Sequence, residues 1–127
     1  MPHLNIEYSS NLEGKTDIQE LCDKLLAAAL ATGLFEVGAV RVRAQSFNAY
    51  AIADKHEDNS FVDMQLRIGK GRTGKEKKAA GEEIFRAAFG HLSTLLETPH
   101  FALSFEIREI DSELSWKKNS MHARFRS

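Results

Sequence analysis

Residue 2 of this chain is a proline, and Leu4, Ile6 and Tyr8 behind it alternate with polar residues as a β-strand does. A small residue after an initiator methionine normally allows the methionine to be trimmed. Trimming would leave Pro2 with a free secondary amine at the start of that strand. An α-amine is one of the few protein groups that titrate near neutral pH. Burial or a nearby cation lowers its pKa further, because either one disfavours the protonated form. Such an amine can take a proton from one atom of a substrate and return it to another, work that contributes about a hundred to ten thousandfold. Met-Pro starts are common and most have no role, so the rest of the chain has to supply partners for the amine.

The candidate partners are arginines. Arg41 and Arg43 share one face of a short strand whose other face, Val40 and Val42, reads as buried. They are either a solvated, ion-paired face or a fork that grips a carboxylate through paired N–H groups. Arg72, just ahead of a helix start, has the same two readings. The run Gly69-Lys70-Gly71-Arg72-Thr73-Gly74-Lys75-Glu76 approaches a phosphate-binding loop. Glu76, however, stands where a Ser or Thr would have to hold magnesium, which argues against a nucleotide. A helix N-terminus beside cations can still hold a carboxylate. The five histidines show no metal-ligand spacing, so no metal is expected. His91 reads as a partly buried helix residue, and His56-Glu57-Asp58 as a polar turn. No Ser-His-Asp arrangement can be argued from the spacings. Cys22 lies on an apolar helical stripe and reads as a small packed hydrophobe.

Bulk properties narrow the field. The chain has 127 residues, 43% hydrophobic and 28% charged, with a formal net charge of −1. That balance argues against nucleic acid, whose phosphates need a basic surface. No apolar run approaches the length of a membrane span, and His3, Asn5 and Glu7 interrupt the opening as no signal peptide would. A single cysteine suits a reducing, cytoplasmic setting.

Two stretches repeat one grammar: Gly14-Lys15-Thr16-Asp17-Ile18-Gln19 and Gly71-Arg72-Thr73-Gly74-Lys75-Glu76. Thr followed three residues later by Gln or Glu predicts a capping box at Thr16 and at Thr73. Ile18, Leu21, Cys22 and Leu25 then form one helical stripe, ending near Gly33. Ala80, Ile84, Ala87, Ala88 and His91 form another, extended by Leu92, Leu95 and Leu96, with Pro99 beyond. Strands are expected at Leu4–Tyr8, around Val40 and Val42, at Val62–Ile68 and at Phe101–Ile107. The registers ahead of the two boxes differ by one position, so an insertion or bulge is expected between them. The connector 45–59 is a candidate for an additional short edge strand. The fold class is thus α+β: duplicated β-α-β units forming a four-stranded mixed sheet with both helices on one face. The expected organisation is a single domain, 1–127, with pseudo-repeats at roughly 1–45 and 59–110 and a C-terminal tail at 111–127. Some strands carry apolar residues on both faces, Phe61 opposite Val62 and Met64 for example, so the uncovered face is expected to meet other subunits.

The proline-led strand, the duplicated halves and the cations before helix caps together resemble the tautomerase superfamily. Within it the chain is similar to the 5-carboxymethyl-2-hydroxymuconate isomerase family over nearly its full length. The likeness rests on Met1-Pro2-His3, Ala31-Thr32-Gly33, Arg41-Val42-Arg43, Ile68-Gly69-Lys70-Gly71-Arg72, Ala102-Leu103-Ser104-Phe105-Glu106-Ile107 and Lys118-Asn119-Ser120-Met121-His122-Ala123. It implies a homotrimer and a cofactor-free isomerase in homoprotocatechuate, hence aromatic, catabolism. Pro2 would shuttle the proton of a small polycarboxylate substrate. Arg41 and Arg72, with Arg43 assisting, would bind its carboxylates, and Trp116 would be the aromatic residue near the site. Lys15 holds the corresponding turn of the first half, with the charge but not the planar fork. The alternatives are a dehalogenase or hydratase of the same fold, or an anion-binding oligomer without turnover.

Overall fold

The computed structural model describes residues 1–126; Ser127, the end of the expected tail, lies outside them. The first unit runs β1 (His3–Ser9), a 3-10 turn (Ser10–Leu12), α1 (Ile18–Ala31), a second 3-10 turn (Val37–Ala39) and β2 (Arg41–Phe47). The second runs β3 (Ser60–Gly69), α2 (Gly74–His91), the short α3 (Ser93–Leu96) and β4 (Phe101–Ile110), followed by a one-turn α4 (His122–Phe125). The sheet order is β2-β1-β3-β4. β1 runs parallel to β2 and β3 parallel to β4, while β1 and β3 meet antiparallel at the centre. This is the mixed α+β sheet that the alternation predicts.

Period-two alternation decides which face is covered. Leu4, Ile6 and Tyr8 of β1 and Val62, Met64, Leu66 and Ile68 of β3 are buried beneath Leu21, Leu25 and Ala29 of α1 and Ala80, Ile84 and Ala88 of α2. Each of the larger side chains contributes about 1.5–3 kcal/mol by leaving water. Both helices therefore lie on one face. The intervening residues, Asn5, Glu7, Arg43, Gln45, Asp63, Gln65 and Arg67 among them, form an open face that is mostly polar. The open face, which the sequence leads one to expect against other subunits, thus offers little apolar surface, with Phe61 an exception on β3. Exposed apolar surface lies instead in a groove between α2 and β4, where Phe85 and Phe89 face Phe105 and Ile107.

The two helix starts differ. Thr73 forms the full capping box: its hydroxyl accepts from the Glu76 N–H at 3.1 Å, and the Glu76 carboxylate accepts from the Thr73 N–H at 2.9 Å. In the first half Asp17, not Thr16, is the cap, its carboxylate accepting from the Glu20 N–H at 2.9 Å. An aspartate caps at least as well as a threonine. Thr16 is thereby free to meet His91 Nε2 at 3.0 Å and tie the start of α1 to the end of α2. Gln19 turns to Asp23 instead of back to the cap.

Three other boundaries move. The second helix breaks at Leu92 (φ −103°, ψ 12°), so Leu95 and Leu96 belong to a separate turn. Gly38 and Ala39 form a 3-10 turn ahead of the strand, which begins at Arg41. Residues 48–59 make turns and no edge strand. Their polar groups are satisfied locally, with Asn59 Nδ2 donating to the Ile52 carbonyl (3.0 Å) and to Asp54 (2.8 Å). The expected register offset is absorbed by the 3-10 turn at Ser10–Leu12.

Candidate functional site

Pro2 is buried at the head of β1, and its carbonyl accepts the backbone N–H of Arg41 at 3.2 Å. The parallel pairing of His3 with Arg41 makes that contact a consequence of register. The Arg41 guanidinium donates to the Ala39 carbonyl at 3.2 Å and reaches the Met1 thioether, with Nη1 and Nη2 at 3.7 and 3.8 Å from Sδ.

Arg72 arrives from the other half. β3 is antiparallel to β1, so its C-terminal end, with His3 opposite Arg67, returns to the proline end of the sheet. The turn from Gly69 to the Thr73 cap then places Arg72. Gly71 has φ +121° there, a backbone conformation that a side chain would strain. Arg72 donates to the carbonyls of Gly69 (3.3 Å) and Leu34 (3.1 Å), and its guanidinium lies 4.8 Å above the Phe35 ring. Two carbonyls occupy part of its five-donor set, and the remainder borders the same cleft as Met1 and Pro2.

The C-terminal segment closes the site. Glu36 holds Arg126 through two contacts of 2.8 and 2.9 Å and lies 3.1 Å from His122 Nδ1. Gly38 allows the approach, since a Cβ there would stand 3.2 Å from the backbone N and Nδ1 of His122. Lys117, Lys118 and Asn119 are thereby laid across the start of β1. Two clefts result, of about 540 and 500 Å³, both bordered by Met1, Lys117 and Lys118. Arg41, Arg67 and Lys70 line the first, and Arg72 and Arg126 the second; Glu36 is the one carboxylate lining either, among the described residues. Trp116, 86% exposed, stands at the mouth of the first.

The charges act on the groups that titrate. The Met1 α-amine is held below its ordinary value, first by burial and then by Lys117, Arg72, Arg41 and Arg67. His3 is pushed down to about 4, first by burial and then by Arg67, Arg41 and Arg43, so its imidazole is neutral at neutral pH. The arrangement favours an uncharged base at the chain start and an anion beside it.

Of the residues singled out from sequence, the structure brings Pro2, Arg41, Arg72 and Trp116 to one region. Arg43 lies further along the open face: its guanidinium is 3.2 Å from His3 Nδ1, and it borders a separate depression with Glu7 and Asp63. Lys15 follows the opposite end of β1. Arg67, Lys117, Asn119 and His122 were given no role from the sequence, although Asn119 and His122 lie in the Lys118–Ala123 stretch that carries the likeness. Arg67 carried a signal, the period-two face of β3, whereas Lys117 and Asn119 sit in irregular backbone with no periodicity to place them. His56, Asp58 and His100, distant in sequence, come together at a site away from Pro2, with candidate ligand atoms within 4.8 Å of one another. The two imidazoles there stack with centroids 4.2 Å apart, His56 Nδ1 already accepts the Asp58 N–H, and His100 Nδ1 already meets Asn59 Oδ1 at 2.9 Å.

The model of a family described as 5-carboxymethyl-2-hydroxymuconate isomerase matches residues 2–125. The chain is 36% identical over 126 residues to a 5-carboxymethyl-2-hydroxymuconate Delta-isomerase of Escherichia coli, covering 99% of this chain and 100% of the relative. Among solved structures it is similar to a 5-carboxymethyl-2-hydroxymuconate isomerase from Deinococcus radiodurans R1, at 38% identity and a TM-score of 0.93, covering 99% of this chain and 95% of that one. A fused 4-OT wild-type symmetric trimer, 12% identical with a TM-score of 0.61 over 91% of this chain and 93% of that one, shares the fold alone.

Proposed function

The chain belongs to the 5-carboxymethyl-2-hydroxymuconate isomerase family, and on that premise we propose that it converts 5-carboxymethyl-2-hydroxymuconate to its 2-oxo isomer with Pro2 as the proton carrier. The observation that carries this reading is the convergence of Lys117, Arg72 and Arg41 on the start of the chain, where burial first and then their charge lower the pKa of the α-amine. The amine present is that of Met1. Once Met1 is removed, the secondary amine of Pro2 stands one residue deeper in the same field.

The reaction needs only proton movement. The proton of the 2-hydroxyl goes to the Pro2 nitrogen, and the O–H electron pair forms the carbonyl. The double bonds shift along the chain, and the distal carbon takes the proton back from Pro2. Negative charge gathers on the 2-oxygen midway, and a guanidinium beside it lowers that barrier. Arg41 and Arg72 bind carboxylates and supply this stabilisation, and Trp116 covers the mouth of the cleft. Arg43 assists through His3, which it faces. No cofactor enters the scheme.

The particle in this reading is a cytoplasmic homotrimer serving homoprotocatechuate breakdown, its subunit a duplicated pair of β-α-β halves. β2 and β4 are both sheet edges, and the apolar α2–β4 groove adjoins one of them, which supports burial of that side between copies. The test is ketonisation of the dienol by untagged protein, followed by ultraviolet absorbance, with intact mass read on the same sample. Turnover by chains that lack Met1 supports the proposal, and turnover by chains that all retain it overturns the role of Pro2. Absence of turnover combined with labelling of Pro2 by a 3-halopropiolate favours a dehalogenase or hydratase. Absence of both favours an anion-binding oligomer.

A further inference from the structure

Asn119 lies in the irregular stretch between β4 and α4, yet its side chain is fixed at both ends. Its Oδ1 accepts the Met121 N–H at 2.8 Å, and its Nδ2 donates to the Gly38 carbonyl at 2.7 Å. These bonds, of opposite sense, settle which end of the amide is which. Nδ2 has a second N–H, and the atoms near it are His122 Nε2 at 3.3 Å and the Met1 sulfur at 3.9 Å. The same sulfur is approached by both terminal nitrogens of Arg41. One neutral amide, whose second N–H His122 Nε2 also approaches, and one guanidinium, which also donates to the Ala39 carbonyl, thus converge on a thioether, a weak acceptor that an anionic oxygen would outcompete. Donors in that arrangement suit an oxygen bearing negative charge. The point on which they converge belongs to the residue bonded to the Pro2 nitrogen.

We propose that Asn119 is a substrate-contacting residue, donating jointly with Arg41 to an anionic oxygen, of a carboxylate or an enolate, held beside the Pro2 nitrogen. The assignment rests on the reading of Pro2 as the N-terminal base. Glu36 serves it at one remove, because its grip on Arg126 and its approach to His122 hold the segment that carries Asn119. A neutral donor complements the cations here: it adds a directed hydrogen bond without adding charge, so it fixes the orientation of an anion the arginines attract.

The experiment compares Asn119→Ala and the isosteric Asn119→Asp with wild type, all untagged and matched by circular dichroism and particle size. Two quantities are read: kcat/KM for the dienol, and the half-saturating concentration for covalent labelling of Pro2 by 3-bromopropiolate. Asn119→Ala should lower kcat/KM by about tenfold to a hundredfold and raise the half-saturating concentration in step. Asn119→Asp keeps the Met121 contact and the shape but sets a carboxylate against the anion, and should do worse than alanine on both readouts. Should the alanine variant fail to fold, the aspartate variant alone decides. A folded variant within twofold of wild type on both readouts overturns the role of Asn119. A wild type that labels at Pro2 without isomerising the dienol defeats the proposed activity instead, while the labelling comparison still reads Asn119.

Discussion

The backbone N–H of Arg41 donates to the carbonyl of Pro2 at 3.2 Å, so the guanidinium and the chain start are tied together by the sheet itself. The tie is main chain to main chain, and it survives a change of the Arg41 side chain. Arg41→Ala should therefore leave the fold intact while weakening substrate binding and charge stabilisation together. Steady-state kinetics should show a higher KM and a lower kcat; unchanged constants would make Arg41 structural. Pro2→Ala tests the other partner. It should lose about a hundred to ten thousandfold in kcat with the particle size unchanged, and full activity in that variant would remove Pro2 from the mechanism.

The α-amine at the chain start is held below its usual range, burial acting first and Lys117 leading the cations. A base that must be unprotonated gives activity that rises with pH and levels off above its pKa. Lys117→Ala removes a charge that opposes protonation, so the acid limb of kcat/KM should move to higher pH. The variant should lose more activity at pH 6 than at pH 8. A limb that stays in place after the substitution would show that Lys117 does not act on the base.

The strands were legible because their signal is local. Alternation at Leu4–Tyr8, Val62–Ile68 and Phe101–Ile107 needs only a pleat, and two short β-α-β crossovers leave few ways to arrange four strands. That Arg41 lies on a strand was legible for the same reason, since it alternates with Val40 and Val42. The cap of α1 was not, because Thr16 and Asp17 are both good caps and the choice was made by His91, from the far end of α2. Lys117 and Asn119 were hidden for a related reason. Their place depends on Glu36 meeting Arg126, a contact between residues 90 apart, and on Gly38 being small enough to let His122 close. Long-range side-chain contacts of this kind leave no period in a sequence.

His3 makes stability depend on pH in a defined window. Its folded pKa is about 4 and its ordinary value 6.5. Between those values the unfolded chain binds a proton at His3 and the folded chain does not, so acidification favours unfolding. Stability should fall as pH drops from about 6.5 to 4, and the contribution should level off on either side. His3→Gln removes the differential protonation. The difference in urea midpoint between wild type and variant should change across this window and stay constant above it. A difference independent of pH would mean that His3 titrates alike in both states.

The two helix starts offer a paired test of how each is held. Thr73→Ala removes the hydroxyl that accepts the Glu76 N–H, and Asp17→Ala removes the carboxylate that accepts the Glu20 N–H. Each should cost about 1 kcal/mol, within the ordinary range for a cap. Glu76→Ala should cost less than Thr73→Ala, since it deletes only the arm that reaches back to the exposed Thr73 N–H. Gln19→Ala should cost almost nothing through capping, because Gln19 contacts Asp23 on the solvent side and leaves the N-cap alone. Urea denaturation of the four variants gives the ranking directly. A Gln19→Ala cost equal to that of Glu76→Ala would mean that a capping box forms in the first half as well. Thr16→Ala completes the set by a different route: it breaks the contact with His91 that joins α1 to α2, so its effect should disappear in a His91→Ala background while those of Asp17 and Thr73 remain.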